Sequence, residues 1–174
     1  SDGFPTYHLA NVVDDALMGV TLICRGQEFL DQSWRQHVIR EALGLAQPRM
    51  LHLPLIMDMK GRKLSKRDGD VDVHSFRVAG YLPEALRNFI VLLGWNPGTE
   101  KEIFRMDELI EAFSIERVHK SGSRFDPEKA KWFNHSYLQQ RSNNQLALEF
   151  REYLRAQGYH HDIGDLETII NLVK

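Results

Sequence analysis

A single cysteine, Cys24, is all the thiol chemistry the 174 residues contain. An internal disulfide and a multi-thiolate zinc site are thereby excluded, and a reducing compartment, the cytoplasm, is the expected location. No apolar run approaches the ~20 residues that cross a bilayer; Phe89 to Leu93 is among the longest. The N-terminal residues show no signal-peptide pattern, so a membrane is not an expected partner. Excess charge is lacking too: 22 basic and 24 acidic side chains give a formal charge of -2. Any nucleic-acid contact must therefore come from a local patch. No glycine-rich loop ending Gly-Lys-Ser or Gly-Lys-Thr occurs, which argues against a generic ATPase. Eight histidines are present, but none in a His-Glu-x-x-His array, and adjacent His160 and His161 diverge in most backbones. No protein-bound metal is expected. Met50, Met57 and Met59 read as packing groups, and Asp14 and Asp15, neighbours on a helix, do not face each other as an acid/base pair.

What is present suffices for an ordinary core: 43% hydrophobic residues in 20.2 kDa, enough for one or two domains. The chain opens on Ser1-Asp2-Gly3-Phe4-Pro5, a turn between extended segments, and its last helical stretch, from Asp165, has no closing glycine or proline. An excised piece of a larger protein is expected.

Helical spacing runs from Tyr7 to Met18, with Gly19 as the stop. Val20 to Cys24 reads as a buried strand, followed by a helix capped by Asp31 or Ser33 and running to Leu43, with Trp34, Val38, Ile39, Ala42 and Leu43 as its apolar stripe. A second strand is expected over Met50 to Leu55, then a hairpin-like turn at Asp58-Met59-Lys60-Gly61. Helices dominate after Asp72: Val73 to Ala79; Glu84 to Leu93 behind Pro83, with Ala85, Leu86, Phe89, Ile90 and Leu93 inward; Glu108 to Phe113, capped by Asp107; Glu128 to Gln140, started by Asp126-Pro127 and packing through Ala130, Trp132, Phe133, Tyr137 and Leu138; and one preceded by Asn143 or Asn144 that carries Leu146, Leu148, Phe150, Tyr153 and Leu154. The order is α/β passing to mainly α.

Lys60-Gly61-Arg62-Lys63-Leu64-Ser65-Lys66-Arg67 is the most cationic stretch. Such a cluster can balance the charge of phosphoryl oxygens and a leaving pyrophosphate. It can equally be a solvated loop neutralised by Asp68, Asp70 and Asp72. Lys120, Arg124, Lys129 and Lys131 present the same choice between RNA phosphates and solvent.

Lys63-Leu64-Ser65-Lys66-Arg67 resembles the Lys-Met-Ser-Lys-Ser loop of class I aminoacyl-tRNA synthetases. The wider text is more specific: Asp2 to Asp15, Met18-Gly19-Val20-Thr21, Arg25-Gly26-Gln27-Glu28, His52-Leu53-Pro54-Leu55, Lys63 to Gly69, Gly80 to Leu86 and Leu93-Gly94-Trp95 occur in the order found in the bacterial-type glutamyl-tRNA synthetase family. The likeness covers most of residues 2 to 138. It implies part of a Rossmann-type class I catalytic domain over 1–70, a helical stem-contact region over 71–134, and the start of a helical anticodon-binding domain over 135–174.

The implied reaction ligates glutamate to tRNA(Glu) using ATP as substrate, with Mg2+ accompanying it. By resemblance, Lys63, Ser65 and Lys66 are catalytic; Tyr7, Asn11 and Arg25 bind glutamate; Glu28, Phe29, Leu55, Ile56 and Lys66 bind ATP. Phe29 replaces the family's usual tryptophan and Gln27 its common glutamate. From the residues alone, Tyr7 and Asn11 also suit packing and capping, Arg25 a surface ion pair, and Leu55 and Ile56 the core. The family's His-Ile-Gly-His signature is not in the chain, so isolated activity is not expected. A monomer is favoured. The competing readings are a glutaminyl-tRNA synthetase fragment and a non-catalytic tRNA-binding module.

Overall fold

The computed structural model describes residues 3–64, 72–160, 164 and 166–173. These fall into two compact units, Ser1–Leu64 with Leu93–Asn96 and Ser114–Phe125, and Ser65–Leu92 with Pro97–Phe113 and Asp126–Lys174.

The first unit opens with α1, Tyr7–Leu17, whose Val12 is fully buried. Strand β1, Leu22–Gly26, leads through a single 3-10 turn, Gln27–Phe29, into α2, Leu30–Ala42, and back to β2, Arg49–Leu53. The two strands are parallel, with Leu22 opposite Arg49, Arg25 opposite His52 and Gly26 opposite Leu53. This is a βαβ unit, the arrangement that a parallel pair requires because its connection must cross over. Short β3, Ile56–Met57, runs parallel to β4, Ser123–Arg124, with Ile56 opposite Ser123. Between them, Asp58 organises the expected turn. Its Oδ1 accepts from the backbone N–H groups of Lys60 and Arg62, at 2.9 and 2.8 Å. Gly61 supplies the left-handed residue at φ +81°, and Met57 and Lys63 close the hairpin as an antiparallel bridge.

Three expectations for this unit are corrected. The first strand starts two residues later than read, and its residues are half-buried or exposed, Cys24 included. Among the described residues β1 pairs only with β2, so no second strand covers its other edge. The apolar stripe of α2 is not its buried face: Trp34 is 62% exposed, while Gln36 and Arg40 are buried. The reason is a polar seam between α1 and α2. Gln36 Nε2 donates to Asn11 Oδ1 at 2.7 Å. Arg40 reaches Asp15 at 3.4 Å and the Ala46 carbonyl at 3.2 Å. A buried guanidinium is tolerable only when paired in this way. Finally, neither Asp31 nor Ser33 caps α2, since both lie inside it.

The second unit holds α3, Val73–Val78; α4, Pro83–Gly94, apart from its last two residues; α5, Met106–Ala112; α6, Pro127–Gln140; α7, Asn143–Ala156; and α8, Leu166–Val173. Asp72 caps α3 by accepting from the His74 and Ser75 N–H groups, and Asp126 caps α6 by accepting from those of Glu128 and Lys129. Asp72 is thereby committed to its helix rather than to the cationic stretch. Two caps differ from expectation. Arg105 occupies the cap position of α5, with Asp107 in the first turn. Ser142, not Asn143 or Asn144, caps α7 through a reciprocal pair with Gln145.

The core of this unit joins Ala85, Leu86 and Phe89 of α4 to Ala130, Phe133 and Tyr137 of α6. Trp132 stays 45% exposed, and Ile90 is exposed where Asn88 is buried. Asn88 goes inward because its Oδ1 accepts from the Phe104 N–H at 2.8 Å and the Tyr137 hydroxyl at 2.7 Å. Leu148, Phe150 and Tyr153 of α7 are exposed, and Ala147 is its buried residue. Among the described residues, no helix is long and apolar enough to cross a membrane.

Candidate functional site

Parallel strands in open α/β folds deliver ligand-binding groups beyond their carboxyl ends. Arg25 is the penultimate residue of β1, His52 its register partner on β2, and Glu28 and Phe29 lie in the turn that follows. The helix that begins at Leu30 then brings Ser33 back over the strand ends. Arg25 Nη2 donates to Ser33 Oγ at 2.8 Å. Ser33 Oγ donates to the Phe29 carbonyl, one turn earlier, at 3.1 Å, and His52 Nε2 stands 3.1 Å from the same oxygen. The Arg25 guanidinium lies over the Phe29 ring, 5.5 Å from its centroid. Its Nε is buried with no hydrogen-bond partner among the described residues.

The cationic turn reaches this region through Lys63, whose Nζ is 3.4 Å from Glu28 Oε1. The Glu28 carboxylate folds back over Gly26, where a Cβ would stand 2.1 Å from Oε2. Its pKa is lowered, first by a hydrogen bond from its own backbone N–H and then by Lys63, with desolvation opposing. His52 is lowered as well, chiefly by burial and further by the Arg25 charge. Arg62, another cation of the turn, pairs with Asp58 at 2.6 Å.

Of the other expected residues, Tyr7 is 56% exposed on the first turn of α1, its ring edge-on to His8 at 5.3 Å. Asn11, one turn on, is held by Gln36. Leu55 is half-buried and its carbonyl accepts from the Ser123 N–H at 3.0 Å, while Ile56 is 37% exposed in β3. Ser65 and Lys66 lie outside the described residues. Arg25 thus touches Phe29 and Lys63 touches Glu28, and the two pairs adjoin because Glu28 and Phe29 are consecutive. Ser33, read from sequence only as a helix cap, and His52 were not among the expected site residues. The signal for Ser33 was its four-residue spacing from Phe29, which places its hydroxyl on the preceding carbonyl.

Residues 1–132 match the family model described as tRNA synthetases class I (E and Q), catalytic domain. The chain is 45% identical to the glutamate--tRNA ligase of Flavobacterium johnsoniae over 190 aligned positions, covering 100% of this chain and 38% of that protein. The glutamate--tRNA ligase of Porphyromonas gingivalis is 43% identical over 194 positions, with the same two coverages. Among solved structures, a glutamate tRNA ligase from Elizabethkingia meningosepticum, crystallised in complex with its amino acid, superposes with a TM-score of 0.86 at 41% identity, covering 98% of this chain and 38% of that one. The chain belongs to the class I tRNA synthetase family specific for glutamate and glutamine, and carries a catalytic-domain fold of mixed α/β, helix-rich content. It spans 38% of the length of these curated relatives.

Proposed function

We propose that the chain is part of a bacterial-type glutamate-tRNA ligase that activates glutamate with ATP and passes it to tRNA(Glu). The observation that carries this reading is the junction of the lysine-bearing turn with the end of β1: Lys63 meets Glu28 at 3.4 Å, and Arg25 stacks on the adjacent Phe29. One end of this constellation suits phosphate, the other a carboxylate.

Arg25, with Tyr7 and Asn11 from the exposed start of α1, holds glutamate. Glu28, Phe29, Leu55 and Ile56 line the ATP site with Lys66. The α-carboxylate of glutamate attacks the α-phosphorus, pyrophosphate leaves, and Lys63, Ser65 and Lys66 stabilise the charge that builds on the transferring and leaving oxygens. The aminoacyl group then moves to the terminal ribose hydroxyl of the tRNA. Glu28 holds Lys63 before the nucleotide arrives; phosphate oxygens replace the carboxylate as its partner. Mg2+ enters with ATP. As a hard cation accompanying ATP, it would be held by phosphate oxygens and water.

Residues 1–70 serve nucleotide and amino-acid binding, 71–134 contact the tRNA stem, and 135–174 begin an anticodon-binding helical domain, within a cytoplasmic, monomeric enzyme. The relatives named as glutamate ligases favour glutamate over glutamine. A purely RNA-binding role is less well supported, because Lys129 pairs with Glu102 and Lys131 with Glu128, which neutralises two of the four cations that role would use.

Charging of tRNA with labelled glutamate, with glutamine in a parallel arm, tests the reading. The full-length ligase containing this chain is expected to charge glutamate, Lys63→Ala to lose about tenfold or more in turnover, and the isolated 174 residues to give none. Charging of glutamine alone, or undiminished turnover in Lys63→Ala, would overturn it.

A further inference from the structure

A serine hydroxyl has one hydrogen to give and two lone pairs to offer. Ser33 Oγ uses all three: it donates to the Phe29 carbonyl at 3.1 Å, accepts from Arg25 Nη2 at 2.8 Å, and has His52 Nε2 at 3.1 Å. With its hydrogen spent on the carbonyl, the hydroxyl can only accept from the imidazole. On that assignment His52 carries its hydrogen on Nε2; the opposite tautomer would need the hydroxyl to turn from the carbonyl to the imidazole.

The consequence falls on Arg25. Its guanidinium is held at two points, Ser33 on Nη2 and the Phe29 ring, whose centroid is 5.5 Å away, on a strand residue in register with His52. The Nε edge is closed to solvent, so a carboxylate meets the terminal edge, where Nη2 has one hydrogen left. A planar fork gains most from carboxylate when its plane is set beforehand.

We propose that Ser33 is a positioning residue for amino-acid selection: it locks the plane of the Arg25 guanidinium for end-on capture of the substrate's side-chain carboxylate, with His52 holding the hydroxyl from behind. The proposal rests on the assignment of Arg25 to glutamate. It makes Ser33 part of glutamate recognition without contact to glutamate.

The test is tRNA charging by the full-length ligase with Ser33→Ala and Ser33→Thr. Ser33→Ala is expected to raise KM for glutamate about tenfold, the scale of one hydrogen bond to a charged group, while KM for ATP holds within about twofold. Ser33→Thr keeps the hydroxyl and is expected to restore KM for glutamate to within about twofold of the parent. Long-range histidine 15N–1H correlation on the unliganded parent is expected to show His52 protonated on Nε2 alone at neutral pH. A parent that charges no glutamate ends the functional reading and the proposal with it. A parent that charges normally, with KM for glutamate unmoved in Ser33→Ala or raised equally with that for ATP, ends the role of Ser33 alone. So does a His52 hydrogen on Nδ1.

Discussion

The Glu28 carboxylate occupies the space beside Gly26 that any side chain there would need, its Oε2 being 2.1 Å from the position of a Cβ. Gly26 itself has φ -64° and ψ 149°, a conformation open to every residue. What a side chain would meet here is therefore a matter of space, not of backbone freedom. The obstructing atoms are the far end of a flexible side chain, so Gly26→Ala is expected to fold, with a thermal midpoint within about 3 °C of the parent. Glu28 swings away and releases Lys63. In the full-length ligase this should appear as a changed KM for ATP at nearly unchanged stability. A melting scan paired with ATP kinetics checks both halves, and a large stability loss would contradict the account.

Gly122 presents the opposite case. A Cβ there would lie 3.1 Å from the Leu55 carbonyl oxygen as well as 2.7 Å from Met57 Cε. The methionine end can move, but the carbonyl is bonded to the Ser123 N–H at 3.0 Å and cannot yield without opening the β3–β4 pair. Gly122→Ala is expected to destabilise the protein by about 1–3 kcal/mol, as overpacking of a fixed site does. Urea unfolding monitored by fluorescence measures it, and equal stabilities for Gly26→Ala and Gly122→Ala would refute the distinction.

These two glycines mark the boundary of what the sequence could reveal. Although the capping residues of α2, α5 and α7 differ from those expected, other local signals held: Asp126 caps the helix it precedes, Pro83 starts α4, and the Asp58 turn closes on Gly61. Each is decided within about four residues. The face of α2 was not legible, because Gln36 and Arg40 are drawn inward by Asn11 and Asp15, each 25 positions away in sequence. Asn88 displaced Ile90 for the same kind of reason, its partners being Phe104 and Tyr137. At the site, family resemblance supplied Arg25, Glu28, Phe29 and Lys63. The register that sets His52 opposite Arg25, and the helix phase that returns Ser33 to both, depend on how β1, α2 and β2 pack.

Burial and the neighbouring Arg25 charge hold the pKa of His52 below its ordinary 6.5. The folded protein therefore binds a proton there less readily than the unfolded chain. Stability from this group is complete above pH 6.5 and falls as pH drops through that value toward the lower folded-state pKa, where the unfolded chain holds more protons. His52→Gln retains a hydrogen-bonding group without the titration. The difference between the parent and His52→Gln stability curves is expected to shrink with acidification from neutral pH. Urea midpoints at half-unit pH steps measure it, and a gap that widens toward acid would reverse the sign.

The buried clasp of the second unit allows a sharper separation of terms. The Tyr137 hydroxyl lies 2.7 Å from Asn88 Oδ1 and 2.5 Å from the Phe104 carbonyl oxygen, and Asn88 Oδ1 also accepts from the Phe104 N–H. Burial leads the causes that push the tyrosine pKa up. Tyr137→Phe removes one donor and leaves Asn88 still engaged by Phe104, so the expected cost is about 1–2 kcal/mol. Asn88→Ala empties a fully buried position and leaves a backbone N–H without its acceptor, so it should cost more, about 3 kcal/mol or above. Because both changes touch the same network, the double variant should cost less than the sum of the singles. Chemical denaturation of all four proteins closes the cycle, and strict additivity would mean that Tyr137 and Asn88 do not share the bond the geometry gives them.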